Sequence, residues 1–433
     1  MKTQMTPIGT LWEKTAKDNL FENVDLAESL STDILIIGAG FTGLRCALAL
    51  AEAGINVVVV DKEYVGFGAS ARNGGQVNPM LPVANPAELR NAVGDLWFER
   101  IATTSLGSAD ELFDLIEKYQ IQCNVRRNGW LRVNHSEKAR QTATKGAQEW
   151  NQFGAGFEFY GEEDTIRLSG SPAFKSATLN PKGGAVHPLK LLTGLANAAK
   201  TAGAKIYSNA GVDELKRNDG KWFASCGQNK ITAGKVVVGT NGYTKGDVWK
   251  PLENTILPLC PIQIATDKLP DDIGNEILKE GHTISDTRRL IMYARRETSG
   301  EFIFGGIGYK KPNGQVGGYS WLDQDIKKIY PQLSQFKFDY KWTGQIGLTQ
   351  GRIPQILEPA PGLISGMGYN GRGVAMANVI GRILSDRILG IAPDKLDFPI
   401  TTIKPMPWRN IQSIGAPLAM AWWRVLDNTE FKR

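Results

Sequence analysis

Cysteine and histidine are scarce in this chain of 433 residues, and the few that occur lie far apart. The four cysteines and three histidines are Cys46, Cys123, Cys226, Cys260, His135, His187 and His282. No two cysteines form a CxxC pair, so neither a disulfide framework nor a zinc site is expected. The isolated histidines argue against a metal centre, and we expect no metal. His187 is expected to be structural, and His135 and His282 to lie in polar, surface-like stretches.

Long apolar segments and a strong excess of one charge are also missing. No segment approaches the roughly 20 apolar residues of a membrane span, and residues 1–19 have no apolar stretch typical of a signal peptide. The formal net charge is +6 and basic residues alternate with acidic ones, so no nucleic-acid surface is predicted. We therefore expect a cytoplasmic protein, and its length favours two domains.

Glycine, by contrast, is abundant, with 48 residues. The stretch ILIIGAGFTG, residues 34–43, is an apolar run that stops at Gly38 and continues with Gly40 and Gly43. In a dinucleotide-binding turn of this spacing the first glycine permits the tight turn and the second lets the backbone approach a pyrophosphate. The third lets the helix pack closely on the strand.

The flanking residues complete a βαβ unit around these glycines. Residues 33–37 have the pattern of a buried strand, residues 44–54 that of a helix ending at a glycine, and residues 55–61 that of a second strand. The unit ends at Asp61, where such folds place an acid on a ribose hydroxyl. A glycine-rich turn without a ligand is the alternative, but the complete unit favours a dinucleotide.

A second glycine-rich stretch, KEYVGFGASARNGGQVNPM, occupies residues 62–80. A loop with so few large side chains lets backbone donors approach a large flat ligand or its phosphates. Together with IGAGFTGLRCALALAEAG and VVVVD, this loop resembles the D-amino-acid-oxidase-like superfamily of FAD-dependent oxidoreductases. It is most similar to the branch of γ-glutamylputrescine oxidases and bacterial L-pipecolate oxidases. The resemblance covers nearly the whole chain and departs at Asp61, where most relatives have glutamate.

The resemblance implies FAD as the cofactor and indicates which residues hold it. Val212 would contact the adenine end through its backbone, and Gly344, Gln345 and Ile346 would lie along the isoalloxazine. The cofactor-binding residues that it implies are Gly38, Ala39, Gly40, Phe41, Thr42, Gly43, Asp61, Lys62, Gly68, Ala69, Ser70, Arg72, Asn73, Gly74, Gly75, Gln76, Val212, Thr240, Asn241, Gly242, Gly344, Gly371, Arg372, Gly373 and Val374.

Two details of the resemblance concern the chemistry of the flavin. Some relatives attach FAD to a cysteine in the WTGQIG region, but this chain has Gly344 and Gln345 there, so we expect non-covalent FAD. Cys260 lies elsewhere and is expected to be a buried apolar residue. The stretch GYNGRGV opens a helix whose N-terminus favours anions, and in relatives it points at the pyrimidine edge of the flavin. The alternative is a helix that only packs on the sheet.

The predicted fold is α/β with two parts. A discontinuous Rossmann-like FAD-binding domain of the glutathione-reductase type is expected from residues 1–85, 173–245 and 343–433. An α+β substrate-binding domain built on an antiparallel sheet is expected from residues 86–172 and 246–342. Residues 86–121 are predicted to be helical, and NGWLRVN, PLCPIQIATDKL, RRLIMYARR and GEFIFGGIG to be strands.

Enzymes of this superfamily oxidise the C–N bond of an amine or amino acid. Hydride leaves a carbon next to the nitrogen, and the resulting imine hydrolyses. No catalytic acid, base or nucleophile of the protein is strictly required, so the pocket must mainly supply orientation. The expected substrate is pipecolate-like or γ-glutamyl-polyamine-like, and the electron acceptor is oxygen or a quinone.

Candidates for orientation lie in the antiparallel sheet and near the flavin. The strand period of two puts Tyr293 and Arg295 on one face and Arg296 on the other, so Tyr293 and Arg295 could hold a substrate carboxylate. The alternative is a solvated strand edge with both arginines in water. Trp342, Gln345 and Arg372 complete the predicted substrate-binding set.

Three other functions are weighed against the sequence. An NAD(P)H-dependent flavin reductase would need a second GxGxxG, which the chain lacks. A non-catalytic flavoprotein is disfavoured by the separate substrate domain, and a sarcosine oxidase by Ala375, where such enzymes place a lysine.

In the C-terminal tail, Leu418, Trp422 and Val425 share a helical face, which we expect to pack on the protein. Membrane contact is not expected.

Overall fold

A computed structural model describes residues 9–17, 20–311, 313–407 and 409–431. The helices are α1 (Leu11–Ala16), α2 (Phe41–Glu52), α3 (Ala69–Arg72), α4 (Pro86–Val93), α5 (Asp95–Leu106), α6 (Ser108–Lys118), α7 (Glu137–Asn151), α8 (Glu162–Ser169), α9 (Pro188–Thr201), α10 (Gly246–Glu253), α11 (Asp271–Gly274), α12 (Tyr319–Ile329), α13 (Gly373–Ile388) and α14 (Arg409–Phe431). Within the described ranges, no helix is both long enough and apolar enough to cross a membrane.

The strands are β1 (Leu30–Ile37), β2 (Val57–Val60), β3 (Gln76–Val77), β4 (Trp130–Val133), β5 (Glu158–Tyr160), β6 (Ala177–Asn180), β7 (Gly184–Ala185), β8 (Lys205–Tyr207), β9 (Glu214–Asn218), β10 (Lys221–Cys226), β11 (Asn229–Val238), β12 (Leu257–Lys268), β13 (Thr283–Asp286), β14 (Tyr293–Arg296), β15 (Glu301–Lys310), β16 (Val316–Gly317), β17 (Tyr340–Thr343), β18 (Ile346–Leu348), β19 (Gln355–Ala360), β20 (Leu363–Met367) and β21 (Ile400–Thr401). The predicted βαβ unit is confirmed as β1–α2–β2, and the four predicted strands of the antiparallel sheet are confirmed as β4, β12, β14 and β15.

The first sheet has nine strands in the order β21-β19-β20-β11-β1-β2-β8, with β10 and β9 continuing from β11. Its centre is parallel, since β1 pairs with β11 and β2 in the same direction. Alternate residues of β1 enter different cores: Ile34 and Ile36 face the side that holds α2, whereas Leu35 and Ile37 face the other. Burial on both faces explains the unbroken apolar run in the sequence.

The second sheet has ten strands, with a main order β17-β12-β15-β14-β13-β4-β6-β5, and is antiparallel except for the β13–β4 pair. Alternation again separates its faces. Leu131 and Val133 of β4 enter a core shared with α12, whereas Trp130 enters the core that contains α2. One face of the second sheet is therefore turned towards the first sheet and its helices.

Three details differ from the predicted domain boundaries. The strand β6 was expected in the FAD-binding part but pairs with β4 in the second sheet, and β18 likewise pairs with β12. The helices α4, α5 and α6 were expected in the substrate domain, but Leu89, Phe98 and Leu112 bury their side chains in the core that contains α2. Their apolar faces complete that core, which also includes Trp130 and Trp342 of the second sheet, so their assignment to the substrate domain stays a prediction.

The C-terminal helix α14 corrects another prediction. Leu418, Trp422 and Val425 are 79%, 60% and 55% exposed, so the expectation that this stripe packs on the protein is wrong. The helix is held instead by Met420, which is buried, and by Asp427, which accepts hydrogen bonds from the backbone N–H and the guanidinium of Arg289. Phe431, at the end of the helix, also packs on Phe174 with the ring centroids 5.8 Å apart. The contacts of α14 thus leave the stripe of Leu418, Trp422 and Val425 in solvent.

Candidate active site

The first glycine turn has the geometry that its spacing predicts. Gly38 adopts a φ of +105°, in the left-handed region, and donates its N–H to the carbonyl of Val60 at 2.8 Å. A Cβ on Gly43 would lie 2.0 Å from the carbonyl oxygen of Gly38, so only glycine allows this close helix approach. Gly40 caps α2 without any side-chain hydrogen bond, which leaves helix N–H groups for a ligand.

Asp61 lies beside this turn at the end of β2. Its carboxylate accepts hydrogen bonds from the N–H of Ala39 at 2.8 Å and of Glu63 at 3.0 Å. Desolvation nevertheless raises the pKa of Asp61 to about 6. The acid that was predicted to bind ribose is thus held against the glycine turn. Lys62, the next residue, lies with its side chain against Gly211, close to Val212.

The second glycine-rich loop is fastened from several sides. The hydroxyl of Ser70 accepts the N–H of Phe41 at 3.0 Å and thus joins this loop to the start of α2. Asn73 donates to the carbonyl of Ser70 at 2.8 Å and accepts the N–H of Gly75 at 2.7 Å. Arg72 packs on the ring of Phe67 with its guanidinium carbon 4.5 Å from the ring centroid. The loop that includes Gly68, Ala69 and Gly74 is therefore rigid and short of side chains.

A single row of residues crosses the face of the second sheet that is turned towards this loop. Paired residues on successive strands define the row as Thr178, Arg132, Ser285, Tyr293, Gly305, Gln263 and Trp342. At one end, Gln263 and Trp342 donate hydrogen bonds to the carbonyl oxygen of Arg72 at 2.6 and 2.9 Å. Near the middle, the ring of Tyr293 lies against Gly74. The row and the loop therefore form the two walls of one site.

Arg295 has a position that neither predicted alternative describes. It is 1% exposed, so a solvated strand edge is wrong for this residue. One guanidinium nitrogen donates to the carbonyls of Gly74, Gly75 and Val186 at 3.1, 2.9 and 2.8 Å, and its Nε lies 2.5 Å from Glu297. Arg295 thus fastens the glycine loop, and its predicted contact with a substrate carboxylate stays a prediction.

Gln345 and the Thr240–Gly242 turn meet on another side of the site. Gln345 donates to the carbonyl of Gly242 and accepts a hydrogen bond from Lys310 at 3.0 Å. A Cβ on Gly242 would lie 2.8 Å from the carbonyl carbon of Ile346, so this turn needs glycine. Asn241 accepts the N–H of Gly368 at 2.9 Å, which links the turn to the approach of α13. Gly344 lies against Ala69 and Arg72.

The helix α13 begins close to the start of α2. The hydroxyls of Tyr369 and Thr42 are 2.5 Å apart, and Gly371 adopts a φ of +87° just before the helix. Arg372 is the N-cap residue but makes no capping hydrogen bond through its side chain, so the N–H groups of the Gly373–Val374 turn keep their capacity for an anion. The helix that GYNGRGV was predicted to open is therefore present as α13, and its N-terminus is able to bind an anion.

Several buried polar atoms around this site have no hydrogen-bond partner within the described residues. They are Oδ1 of Asn78, Oε1 of Gln263, Oγ1 of Thr283, Nη2 of Arg295 and Nη1 of Arg372. Such atoms are rare in folded proteins unless a ligand or water satisfies them. Together with two open helix termini and the glycine turns, they fit a large polar cofactor with a substrate beside it.

The three histidines and Cys260 are not among the residues that form this site. His187 caps α9 by accepting the N–H of Lys190 at 3.3 Å, and burial lowers its pKa to about 3, in agreement with a neutral structural histidine. His135 and His282 are 8% and 7% exposed, so their placement in surface-like stretches is wrong. Cys260 is buried, as expected. Because side chains alternate along β12 and Cys260 is three positions before Gln263, the two side chains lie on opposite faces of the strand.

Sequence reasoning missed several residues of the row. Arg132, Ser285 and Gln263 were not singled out, nor was Trp12, whose indole N–H donates to the carbonyl of Asn73 at 2.9 Å. The alternation in NGWLRVN already places Trp130 and Arg132 on one face of a strand. Pairing between strands that are distant in the chain then brings Arg132 beside Ser285. No local sequence pattern predicts this pairing.

The fold and the site together define a flavin-dependent oxidoreductase with a dinucleotide turn, a second phosphate-facing loop and a covering sheet. The family model described as "FAD dependent oxidoreductase" matches residues 33–387, and the chain belongs to this family. FAD is therefore its cofactor, and the glycine turns and helix termini described above are the residues that would hold it.

Comparison with known proteins supports the same family. The chain is 29% identical over 378 residues to a gamma-glutamylputrescine oxidoreductase of Escherichia coli K12, covering 85% of this chain and 86% of that protein. Its fold is similar to a glycine oxidase of Geobacillus kaustophilus, with a TM-score of 0.70, 17% identity and coverage of 86% and 98%. It is also similar to an L-proline dehydrogenase of P. horikoshii, with a TM-score of 0.65, 21% identity and coverage of 84% and 94%.

Proposed function

We propose that this enzyme oxidises the C–N bond of an amine or secondary amino acid and releases an imine that water hydrolyses. The observation that carries the proposal is the row of seven residues on the second sheet, which faces the glycine loop across one site. A flavin oxidase needs a wall that orients the donor carbon, and this row offers hydroxyl, amide, guanidinium and aromatic groups in fixed positions.

Bound FAD supplies a two-electron acceptor for hydride, and the chain supplies orientation. Burial raises the pKa of the Tyr293 phenol, so its hydroxyl stays protonated. It donates a long hydrogen bond of 3.4 Å to the carbonyl of Ile262, and it would have to turn from that carbonyl to donate to a substrate. Trp342 closes the end of the row beside Arg72 and, being 2% exposed, excludes water from that end. Gln345 and Arg372 border the site from the FAD-binding side and complete the proposed substrate contacts.

The charges of the row suit a neutral amine. Among its seven members Arg132 is charged and none is acidic. A cation beside the site disfavours a second positive charge, so it lowers the pKa of a bound ammonium group. The amine must lose its proton before the lone pair assists hydride departure. The row thus supports oxidation without a dedicated base.

Two substrate classes fit the proposal. A gamma-glutamylputrescine oxidoreductase is among the relatives, which supports a γ-glutamyl-polyamine-like substrate. A pipecolate-like secondary amino acid is the other, and the L-proline dehydrogenase fold is in keeping with it. Oxygen or a quinone takes the electrons afterwards. FAD is proposed to be non-covalent because Gly344 and Gln345 occupy the WTGQIG region, where some relatives attach the flavin to a cysteine.

Anaerobic mixing of the holoenzyme with a panel of amines and amino acids tests the proposal. We expect a secondary amino acid or a γ-glutamyl-polyamine to bleach the visible absorbance of the flavin rapidly. Bleaching by NADPH together with no response to amines would instead identify a flavin reductase. A flavin that no donor bleaches would identify a non-catalytic flavoprotein. Re-addition of oxygen or a soluble quinone to the bleached enzyme then identifies the acceptor.

A further inference from the structure

The apolar stripe of α14 faces solvent, although its residues are of the kind that folded proteins bury. Leu418, Trp422 and Val425 lie three or four positions apart and share one face of the helix, and each is more than half exposed. Met420 and Asp427 lie on the opposite face, where they are buried against the protein. Single exposed apolar residues are common, but three on one helix face form a patch of the kind that marks an interaction surface.

The stripe lies outside the part of the chain that the family shares. The family model ends at residue 387, whereas α14 begins at Arg409. Neither the glycine turns nor the row on the second sheet includes any residue of this helix. The exposure of the stripe therefore needs an explanation that is separate from FAD binding and from the reaction.

The acids of α14 do not oppose an anionic partner at the stripe. Asp427 and Glu430 are the two acids of this helix, and both bind Arg289, at 2.9 and 2.8 Å. Asp427 lies two turns of numbering away from the stripe on the face that touches the protein, where it is buried. Their negative charges are thus compensated by an arginine of the loop between β13 and β14.

Basic residues of the neighbouring helix α12 lie beside the stripe. Lys328 donates to the side-chain oxygen of Asn428 at 3.1 Å, which places its ammonium group next to α14. Lys327 is exposed in the same last turn of α12. Asp323 is an exposed acid of this helix, but it lies on the opposite flank of α12 from Trp321, which contacts α14. The charge next to the stripe is therefore positive.

The size of the stripe favours a lipid surface over a second copy of this chain. Even together with Trp423, which is 41% exposed, its side chains expose on the order of 500 Å². A stable interface buries about 800 Å² on each partner. A helix in the headgroup region of a bilayer needs no complementary protein surface, because its apolar face enters the boundary of the acyl chains. Tryptophan is enriched in that region, since its ring is apolar and its N–H is polar.

The flank of α14 is also connected to the border of the candidate active site. The guanidinium carbon of Arg424 lies 5.5 Å from the ring centroid of Trp321, and the ring centroids of Trp321 and Tyr309 are 5.2 Å apart. The next residue, Lys310, donates to Gln345 at 3.0 Å. Gln345 borders the site from the FAD-binding side. A surface that binds α14 would therefore lie a few side-chain contacts from this border.

We propose that α14 docks this enzyme on the surface of an anionic lipid bilayer. Leu418, Trp422 and Val425 enter the headgroup region, and Lys327 and Lys328 face the lipid phosphates. The inference goes beyond the proposed reaction and does not depend on it, since lipid binding needs neither substrate nor turnover. The absence of membrane contact that the sequence predicts depends on a stripe packed on the protein, and the stripe is exposed.

Flotation of the full-length holoenzyme with vesicles tests the proposal. One set of vesicles contains phosphatidylethanolamine and phosphatidylglycerol in a ratio of about 2:1, and the other contains phosphatidylcholine alone. We expect roughly tenfold more protein to float with the anionic set, and this fraction to fall as the salt concentration rises. No flotation with the anionic vesicles would overturn the proposal. Equal flotation with both sets would overturn its anionic part.

Substitutions in the stripe assign the contact to α14. The double variant Leu418→Ser/Trp422→Ser should float roughly tenfold less than the wild type, because it removes most of the apolar surface. Leu96→Ser/Phe223→Ser is the matched control, since Leu96 of α5 and Phe223 of β10 are 72% and 37% exposed. Undiminished flotation of the stripe variant, or an equal loss in the control, would contradict docking through α14. Flavin content and urea unfolding show that each variant is folded.

Substitutions in α12 test the contribution of charge. The double variant Lys327→Gln/Lys328→Gln should bind the anionic vesicles severalfold more weakly and the neutral vesicles equally. Lys200→Gln/Lys205→Gln is the control, because these exposed lysines lie on α9 and β8 and their loss changes the net charge equally. An equal effect of both pairs would mean that only the net charge matters and would overturn the role of α12.

A second copy of the chain is the remaining occupant of the stripe. Size-exclusion chromatography with light scattering, at micromolar protein without lipid, measures the oligomeric state. We expect wild type and Leu418→Ser/Trp422→Ser to have the same molar mass. A wild-type dimer that the stripe variant converts to a monomer, together with no flotation, would assign the stripe to self-association and overturn the proposal.

Discussion

The hydroxyl of Thr42, in the first turn of α2, lies 2.5 Å from the hydroxyl of Tyr369, four residues before Gly373 begins α13. Both side chains are buried. The two helix termini that fit the anionic parts of FAD are thus joined directly, although they are 327 residues apart in the chain. Their relative position is fixed by this contact rather than by the sheet alone.

Tyr369→Phe should therefore weaken both stability and FAD binding. The change leaves the buried Thr42 hydroxyl without this partner, which costs about 1–3 kcal/mol. We expect a lower free energy of unfolding in urea and a severalfold higher Kd for FAD. Thr42→Val combined with Tyr369→Phe removes both hydroxyls and should recover part of the loss. A double variant that is as unstable as the sum of the single variants would show that the pair does not interact.

Gly40→Val should abolish FAD binding. A Cβ at this position would lie 2.9 Å from the hydroxyl of Ser70, and a branched side chain would fill the approach to the N-terminus of α2. Gly161→Val is the matched control, because Gly161 also caps a helix, α8, but nothing lies within 4 Å of its Cβ position. We expect colourless protein from the first variant and normal flavin content from the second. Stoichiometric FAD in Gly40→Val would mean that this turn does not hold the cofactor.

The pKa of Asp61 gives a pH dependence with a defined sign. Desolvation raises its pKa from 3.8 to about 6 in the folded protein, so folding without cofactor favours the protonated acid. This contribution to stability is fully present below the unfolded pKa and is lost as the pH rises through 6. A ribose hydroxyl donates a stronger hydrogen bond to ionised Asp61 than to the protonated acid, so FAD affinity should fall as the pH drops from 7 to 5. Titration of apoprotein with FAD across this range measures the effect, and Asp61→Asn should remove it.

The sequence was sufficient for the fold because its signals are local. In the βαβ unit, Gly38 has a φ of +105° and a Cβ on Gly43 would meet the carbonyl oxygen of Gly38, so both are required by backbone geometry within a few residues. The space at Gly40 is limited instead by Ser70 of the second glycine-rich loop. Strand alternation likewise predicts which side chains of β4 share a face. These patterns depend on neighbours in the chain, so a single sequence contains them.

The substrate side of the site was less predictable because it depends on pairing between distant strands. Arg295 satisfies the strand pattern expected of a substrate ligand, yet its partners are Gly74, Gly75 and Val186, more than 100 residues away. Arg132 satisfies the same pattern, but within the described residues its side chain makes no hydrogen bond or ion pair, and Asp286 acts on its charge only at a distance. Two arginines with equal local signals thus differ only through tertiary contacts. The exposed stripe on α14 was missed for the same reason.

Arg295→Met should lower stability more than Arg296→Met. The first change removes a guanidinium that binds three carbonyls and leaves Glu297, which is 5% exposed, with Arg126 at 3.4 Å. Loss of one partner from a buried ion pair costs about 3–5 kcal/mol. Arg296 lies on the opposite face of β14 and is partly exposed, so it is the matched control. Urea unfolding measures both; a stable Arg295→Met variant with a raised KM for carboxylate substrates would favour direct substrate contact.

Trp422→Ala should change the stability of the protein far less than Met420→Ala, although both residues lie in the same helix. Trp422 is 60% exposed and Met420 is 2% exposed, although both are large apolar residues of α14. Truncation of the exposed tryptophan should change the free energy of unfolding by no more than about 0.5 kcal/mol, whereas truncation of the buried methionine should cost about 2–5 kcal/mol. A large loss for Trp422→Ala in dilute, monodisperse protein would mean that the tryptophan packs on the protein in solution, as the sequence pattern alone predicts.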